Sequence, residues 1–474
     1  MRLPVRSAAG AGAAALLVAL VAAPPGAAAS GSPSASGTPS ASPVPAPPAA
    51  PAEVLPAVSL EPGLGGGDDR RLADELAAAL RAPTLGRDVS ASVVDVASGD
   101  PVLLDDAATP QAPASTLKTL TAITALSALG PQSRITTRVA QGAKPDEIVL
   151  VGAGDATLTR TPLPDALLPE GQAARPASLA ELARETVQAL QAAGLSRVTL
   201  RIDDSLFVGP GVSPGWPATY VSTGVVSPVS ALSADGGRSS ATTRTRSSDP
   251  ALAAGLWFAA RLRDGGIAVP DAITRSIASK DAATLASVSS PTVVELVERM
   301  LTTSDNDLAE ALAHLAGVAV VGKGSFEGGA EATAQTLTSL GVGVEGMRLL
   351  DGSGLSRRNR VTTSTLASAL AAAVRDAPPV GATAGVLWPT TTGLPIAGVT
   401  GTLAERFDTA GTDLGRGVVR AKTGTLSGVV TLAGVVRDES GRMRVFVFLA
   451  DRSPGPLLDA QAALDRAATV VAAG

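Results

Sequence analysis

Four short strand-like runs, two near each end of the chain, set the strongest limit on the fold. Residues 89–96 alternate apolar and small polar side chains, turn at Ser98-Gly99-Asp100, and return over 101–104, the pattern of a hairpin. Residues 429–436 and 443–449 are two further runs, with a turn at 438–441. Between the ends, apolar residues recur at helical spacing over about 250–264, 292–303, 307–319, 327–339 and 362–375. Further helices are expected at 68–80 and 456–472. Strands at both ends with helices between predict an α/β domain whose sheet is completed by both termini. A second group lies inside it: strands at 135–139, 147–151 and 198–202, and a helix at 179–192. Residues 205–250, rich in Gly, Ser, Thr and Pro, show no readable period.

The first 57 residues have a different character. Arg2 and Arg6, an apolar run from Ala8 to Ala23, and Ala27-Ala28-Ala29 make up the parts of a secretory signal over 1–29. The run is short for a membrane span and Pro24-Pro25 ends it, although an uncleaved anchor stays open. Residues 30–57 are Ser, Pro, Ala and Gly with almost no charge, a composition expected to form a disordered linker. The folded part is therefore expected from about residue 58, working outside the cytoplasm. A net charge of −5 gives no basic footprint for nucleic acid. The absence of cysteine excludes disulfides, thiol nucleophiles and a lipoprotein anchor. The one histidine, His314, sits at helical spacing in Ala309-Glu310-Ala311-Leu312-Ala313-His314 and is read as structural. No metal or cofactor is expected.

With those groups missing, lysine gains weight. There are only five: Lys118, Lys144, Lys280, Lys323 and Lys422. Lysine can act as a base, whereas arginine stays protonated. Lys118 stands three residues after Ser115, and Pro113 suits a helix entry just before it. If Ser115 opens a helix, Lys118 lies roughly 300° further round, so the two share a face. The Ser115 N–H would then sit at a helix N-terminus, where donors are unpaired and negative charge is favoured. A hydroxyl, an amine and an oxyanion donor are the parts of acyl transfer. Ser-x-x-Lys recurs by chance in long chains, so the pair needs partners.

Two other stretches offer them. In Thr303-Ser304-Asp305-Asn306, between two helices, the serine suits proton relay and the Asn306 amide suits holding a substrate carbonyl. The structural alternative is a helix N-cap. Lys422-Thr423-Gly424-Thr425 follows a short strand at 418–421. There a substrate could lie along the edge as an added strand, its anionic end held by Lys422 and the threonine hydroxyls. The alternative is an ordinary strand end turning at Gly424.

Ser-x-x-Lys, Ser-Asp-Asn and Lys-Thr-Gly, in this order, are similar to the signature set of serine penicillin-recognising enzymes. Ser304 follows Ser115 by 189 residues (304 less 115), far more than in serine β-lactamases or the simpler DD-carboxypeptidases. That interval resembles the class C low-molecular-mass penicillin-binding proteins, the D-alanyl-D-alanine carboxypeptidase/endopeptidase family. Further stretches match it across about 65–470: Gly152 to Leu158, Ile202 to Phe207, Gly215-Trp216-Pro217, Asp351 to Arg357, Leu394-Pro395, Gly401-Thr402-Leu403 and Arg420-Ala421. Ala156 stands where the family usually has proline.

The resemblance implies an α/β fold: a transpeptidase/β-lactamase-like catalytic domain, an antiparallel sheet flanked by helices, over 58–140 and 285–474. Additional mainly-β domains would be inserted at 141–284, between the first and second motifs. It implies a serine DD-peptidase acting on peptidoglycan stem peptides, with β-lactams as covalent inhibitors, and leaves a homodimer open. Ser115 would be the nucleophile and Lys118 its base. Ser304 would relay a proton to the leaving amine, and Asn306 would hold the substrate backbone. Lys422, Thr423 and Thr425 would bind the terminal carboxylate at the Gly424 edge, and the N–H groups of Ser115 and Thr425 would form the oxyanion hole. Asp155 would meet the free amino end of a diaminopimelate side chain, or else be a turn residue. Asp351 to Arg357 would shape the cleft wall. Two other readings stay open. A serine β-lactamase would need a deacylating carboxylate, but no Glu-x-x-Leu-Asn stretch lies between Ser304 and Lys422. A non-catalytic wall-binding protein retaining the fold would not need the motifs intact.

Overall fold

The computed structural model describes residues 68–164, 175–240, 243–377 and 385–474, all within one unit spanning 57–474. The expected signal (1–29) and linker (30–57) lie outside the described residues.

Helix α1 (Asp68–Leu80) leads to strands β1 (Asp88–Asp95) and β2 (Pro101–Asp105), then to helix α2 (Lys118–Leu129). Strands β3 (Arg134–Gln141) and β4 (Glu147–Val151) are followed by α3 (Leu179–Ala192), β5 (Thr199–Asp203), the one-turn helix α4 (Thr219–Ser222), α5 (Pro250–Asp264), β6 (Thr274–Arg275) and β7 (Thr284–Thr292). Helices α6 (Val293–Thr303), α7 (Asn306–Val321), α8 (Phe326–Ser339), α9 (Thr363–Arg375) and the short α10 (Pro389–Thr392) come next. Strands β8 (Arg420–Leu426), β9 (Val429–Arg437) and β10 (Met443–Asp451) precede the closing helix α11 (Leu457–Ala473).

The first sheet has the order β2-β1-β10-β9-β8, so both ends of the chain build it, with β10 pairing antiparallel to both β1 and β9. Its central strands are apolar on both faces, and the two-residue period divides them between two cores. Leu432, Phe446, Phe448 and Ala450 join Leu72 and Leu76 of α1 and Leu464 of α11. Ala433, Val445, Val447 and Leu449 join α2, α6, α7 and α9 through Ile123, Val297, Leu312 and Leu370. The sheet is thus the middle of a three-layer sandwich. Burying one such leucine contributes about 1.5–3 kcal/mol. Strand β8 is an edge, and the helices of the second core abut the face that carries the site.

The second sheet, in the order β6-β5-β4-β3-β7, is mixed: β4, β5 and β6 run parallel, while β3 is antiparallel to β4 and β7. Parallel strands need crossovers, and α3 and α5 provide them, burying Leu182, Leu190, Phe258 and Leu262 against Leu150, Leu200 and Ile202. The insert therefore combines its sheet with helices. Strands β3 and β7 belong to this sheet, so residues 134–140 and 285–292, expected on the catalytic side, pair within the insert. Alternation in sequence identifies a strand but not the sheet it joins.

Candidate active site

Ser115 does not open an α-helix. It lies in the 3-10 turn Ala114–Leu117, and α2 begins at Lys118. Ala114 has φ +47°, outside the helical region. The Pro113 carbonyl anchors the turn, accepting from Thr116 Oγ1 (2.6 Å) and, across from β9, Thr431 Oγ1 (3.0 Å). The expected pairing survives this change: Lys118 Nζ donates to Ser115 Oγ at 3.0 Å.

Lys118 is fully buried, and its Nζ has two other acceptors, Asn306 Oδ1 at 2.8 Å and the Ser353 carbonyl at 2.7 Å. Three acceptors match the three donors of an ammonium. Burial nevertheless pushes its pKa down to about 8, with Glu310, Asp351 and Asp305 opposing that shift by their negative charge. A tenth or so of such amines are neutral at pH 7, and only the neutral amine can take a proton from Ser115.

The second motif divides its labour. Asp305 is the helix cap, its carboxylate accepting from Leu308 N at 3.0 Å. Ser304 closes α6 in the left-handed conformation (φ 58°, ψ 38°), uncommon for a residue with a Cβ. Asn306, opening α7, is left to bridge: Oδ1 meets Lys118 and Nδ2 donates to the Val225 carbonyl of the insert at 3.0 Å. Among the described residues no hydrogen bond joins Ser304 to Ser115 or Lys118. Asp307 ties the motif to the same insert loop, through Ser227 N (2.6 Å) and buried Arg246 (3.1 Å). Burial and Asp305 raise Asp307 to about 6.

The third motif lies inside β8 rather than after a strand. Lys422 is fully buried, and its Nζ donates to the Thr423 carbonyl at 2.9 Å. Burial and repulsion from Lys118 hold it well below the usual lysine range. A Cβ on Gly424 would meet Thr431 Oγ1 and come within 2.9 Å of Ser115 N, so only glycine lets the edge approach the nucleophile. Thr423 Oγ1 shares a hydrogen bond with Thr402 Oγ1 (2.8 Å), and Thr425 Oγ1 accepts from Gln461 (3.2 Å).

Two groups that sequence reasoning missed complete the pocket. The Ser353 carbonyl holds Lys118, and the Glu310 carboxylate holds the loop that carries it, accepting from Gly352 N (3.0 Å) and Ser353 N (2.8 Å). A signal for Glu310 existed: it lies four residues after Asn306, on the same helix face. A backbone carbonyl leaves no such signal. Asp351 shapes the wall, accepting from Gly354 N, Ser356 N, Asn359 Nδ2 and Trp216 Nε1.

From Ser304 and Asn306 a cavity of about 360 Å³ runs under the insert, between Thr157, Val225 and Arg238. Asp155 lies behind this wall, buried, with Oδ1 accepting from Thr157 N (2.8 Å) and Oγ1 (2.6 Å). Burial raises its pKa. The wall itself is formed by its neighbours Ala156 and Thr157. His314 packs between Phe207 and Phe326, tilted against the first ring and edge-on to the second, and burial lowers it to about 4.

A serine held by a buried lysine, an asparagine on the same amine and a lysine-bearing edge strand beside the nucleophile define a penicillin-recognising serine enzyme. The chain belongs to the D-Ala-D-Ala carboxypeptidase 3 (S13) family, whose sequence profile matches residues 72–247 and 240–471, and by that membership is a serine-type D-Ala-D-Ala carboxypeptidase. It is 36% identical over 408 residues to carboxypeptidase DacB of Mycolicibacterium smegmatis, spanning 85% of this chain and 84% of that one. It is also 36% identical over 394 residues to carboxypeptidase Rv3627c of Mycobacterium tuberculosis, spanning 82% and 80%. Penicillin-binding protein 4 of Haemophilus influenzae shares the fold at 22% identity, with a TM-score of 0.68 over 84% of this chain and 98% of that one.

Proposed function

We propose that this carboxypeptidase works through an acyl-enzyme on Ser115, is acylated there by penicillins, and acts outside the cytoplasm. The observation that carries the proposal is the Lys118 amine shared between Ser115 Oγ and Asn306 Oδ1. The Ser115 oxygen attacks the carbonyl carbon of the penultimate D-Ala, and its proton passes to neutral Lys118. The oxyanion is met by N–H groups of Ser115 and Thr425, beside which Gly424 leaves room. As the C–N bond breaks, the proton returns through Ser304 to the leaving D-Ala amine, whose carboxylate lies against Lys422 and the β8 hydroxyls. Water then cleaves the ester and frees Ser115.

The same steps release a diaminopimelate-linked chain when the attacked bond is a cross-link, so endopeptidase activity belongs to the proposal. The cavity beyond Asn306 offers space for the longer leaving or donor side chain. Export rests on the 1–29 leader. A fluorescent penicillin should label the purified chain, with release over hours, and should leave Ser115→Ala unlabelled. Equal labelling of that variant would remove Ser115 from the chemistry, and release within seconds would make the protein a β-lactamase. Mass spectrometry of products from pentapeptide monomers and cross-linked dimers reads the bond cleaved.

A further inference from the structure

We propose that Glu310 is a positioning residue for the base: through the Gly352-Ser353 peptide, it fixes where Lys118 Nζ sits against Ser115. The inference rests on Lys118 being the base. Glu310 and Asn306 project from successive turns of α7 towards the same amine, but in different ways. Asn306 bonds Lys118 directly, whereas Glu310 bonds the loop beyond it. Its two oxygens accept from two consecutive backbone N–H groups, at 3.0 and 2.8 Å. Paired acceptors on both oxygens are the pattern of a carboxylate, since a neutral carboxyl has one oxygen committed to its proton.

The clamped loop then turns two consecutive carbonyls towards α2. Gly352 O accepts from Thr121 Oγ1 at 2.6 Å, and Ser353 O accepts from Lys118 Nζ at 2.7 Å. Thr121 and Lys118 are three residues apart, on one face of that helix. A Cβ on Gly354 would meet the Ala114 carbonyl, so the same loop presses on the turn that carries Ser115. Glu310, Thr121 and Ser353 are each at most 3% exposed, so water cannot substitute freely for any of these bonds.

Charge follows the same geometry. Lys118 is faced by Glu310 from α7, Asp351 from the loop, Asp305 from the α6–α7 joint and Lys422 from β8. Glu310 is faced by Asp351 and Lys118, and shares its helix with His314, which burial keeps neutral near pH 7. Burial and the neighbouring Asp351 charge push the Glu310 pKa up, while the hydrogen bonds from Gly352 and Ser353 pull it back towards the carboxylate form. The negative charge of Glu310 works against the burial that lowers Lys118.

The test is the pH profile of penicillin acylation of the full chain, for wild type, Glu310→Gln and Thr121→Val. Wild-type labelling with none in Ser115→Ala shows separately that the underlying reading stands. Glu310→Gln removes a charge and sets an amide donor against a backbone N–H. Its acid limb should move to lower pH by roughly one unit, and its plateau should fall about tenfold or more. Thr121→Val loosens the same loop without changing charge, so its plateau should fall while its limb stays put. An unmoved limb in Glu310→Gln, whatever its plateau, would overturn the proposal and leave Glu310 a packing residue. If Glu310→Gln does not fold, Thr121→Val decides: a wild-type plateau there overturns the proposal, and a lowered plateau with an unmoved limb supports it.

Discussion

At the foot of α2, Lys118 has three acceptors within 3.0 Å, from a serine, an asparagine and a backbone carbonyl. On β8, Lys422 is just as buried, yet its amine donates to the Thr423 carbonyl. Both amines are pushed below the usual lysine range by burial, but three carboxylates counter the shift at Lys118, whereas at Lys422 the neighbouring charge is Lys118 itself. On the mechanism proposed above, the first amine exchanges a proton with Ser115. Among the described residues no ion pair gives Lys422 an anion. A substrate carboxylate arriving at β8 would supply it and restore the charge on Lys422. On that same mechanism, one lysine serves the chemistry and the other serves binding.

Substituting arginine breaks the comparison most sharply. Lys118→Arg keeps the charge and removes the base, so acylation should fall about a thousandfold, within the usual range for losing a general base. Lys422→Arg keeps the function assigned to it, so KM should rise while kcat holds within a few-fold. Steady-state kinetics on a D-Ala-D-Ala peptide read both, and similar losses in kcat would collapse the distinction. Next in size is Gly424→Ala. Its Cβ would intrude within 2.9 Å of Ser115 N, and acylation should drop about a hundredfold with the fold intact by circular dichroism. A near-normal rate would mean that β8 does not border the oxyanion.

The pH dependence separates the lysines further. Lys118, lowered to about 8, gains basicity as pH rises, so acylation should climb about tenfold per unit below 8 and flatten above it. Deprotonating Lys422 works the other way, weakening carboxylate binding. The profile of kcat/KM should thus bend down at high pH, and that of kcat should not, because bound carboxylate keeps Lys422 charged. A high-pH fall in kcat would place the second titration on the chemical step.

The parts of this site that sequence could reveal are those marked by side-chain type and period. The helix at 179–192 and the strand pair at 429–436 and 443–449 emerge where their apolar periods lie. The three motifs converge, because each pairs a chemically rare residue with a fixed spacing. Hidden were interactions made by backbone: the Ser353 carbonyl on Lys118 and the Val225 carbonyl on Asn306. Val225 also falls in 205–250, where turns replace periods and nothing in the residue types indicates what the loop covers. The 3-10 turn at Ser115 was hidden too, since Ala114, lying against the Gly354 loop, has φ +47° and breaks the expectation for alanine.

Asp155 carries the smallest expected effect. The family resemblance associates it with a diaminopimelate amine, a role needing an accessible carboxylate. Here the side chain is 3% exposed and its Oδ1 is engaged by Thr157, while Ala156 and Thr157 face the cavity. Its other oxygen has no partner among the described residues. An asparagine would preserve the Oδ1 acceptor and turn an amide to that second position. Asp155→Asn should therefore change kcat/KM only two- to threefold, and equally for peptides with a free or an acetylated diaminopimelate amine. The free-amine substrate alone losing tenfold or more would show that the carboxylate reaches substrate, and that the Thr157 wall opens when substrate binds.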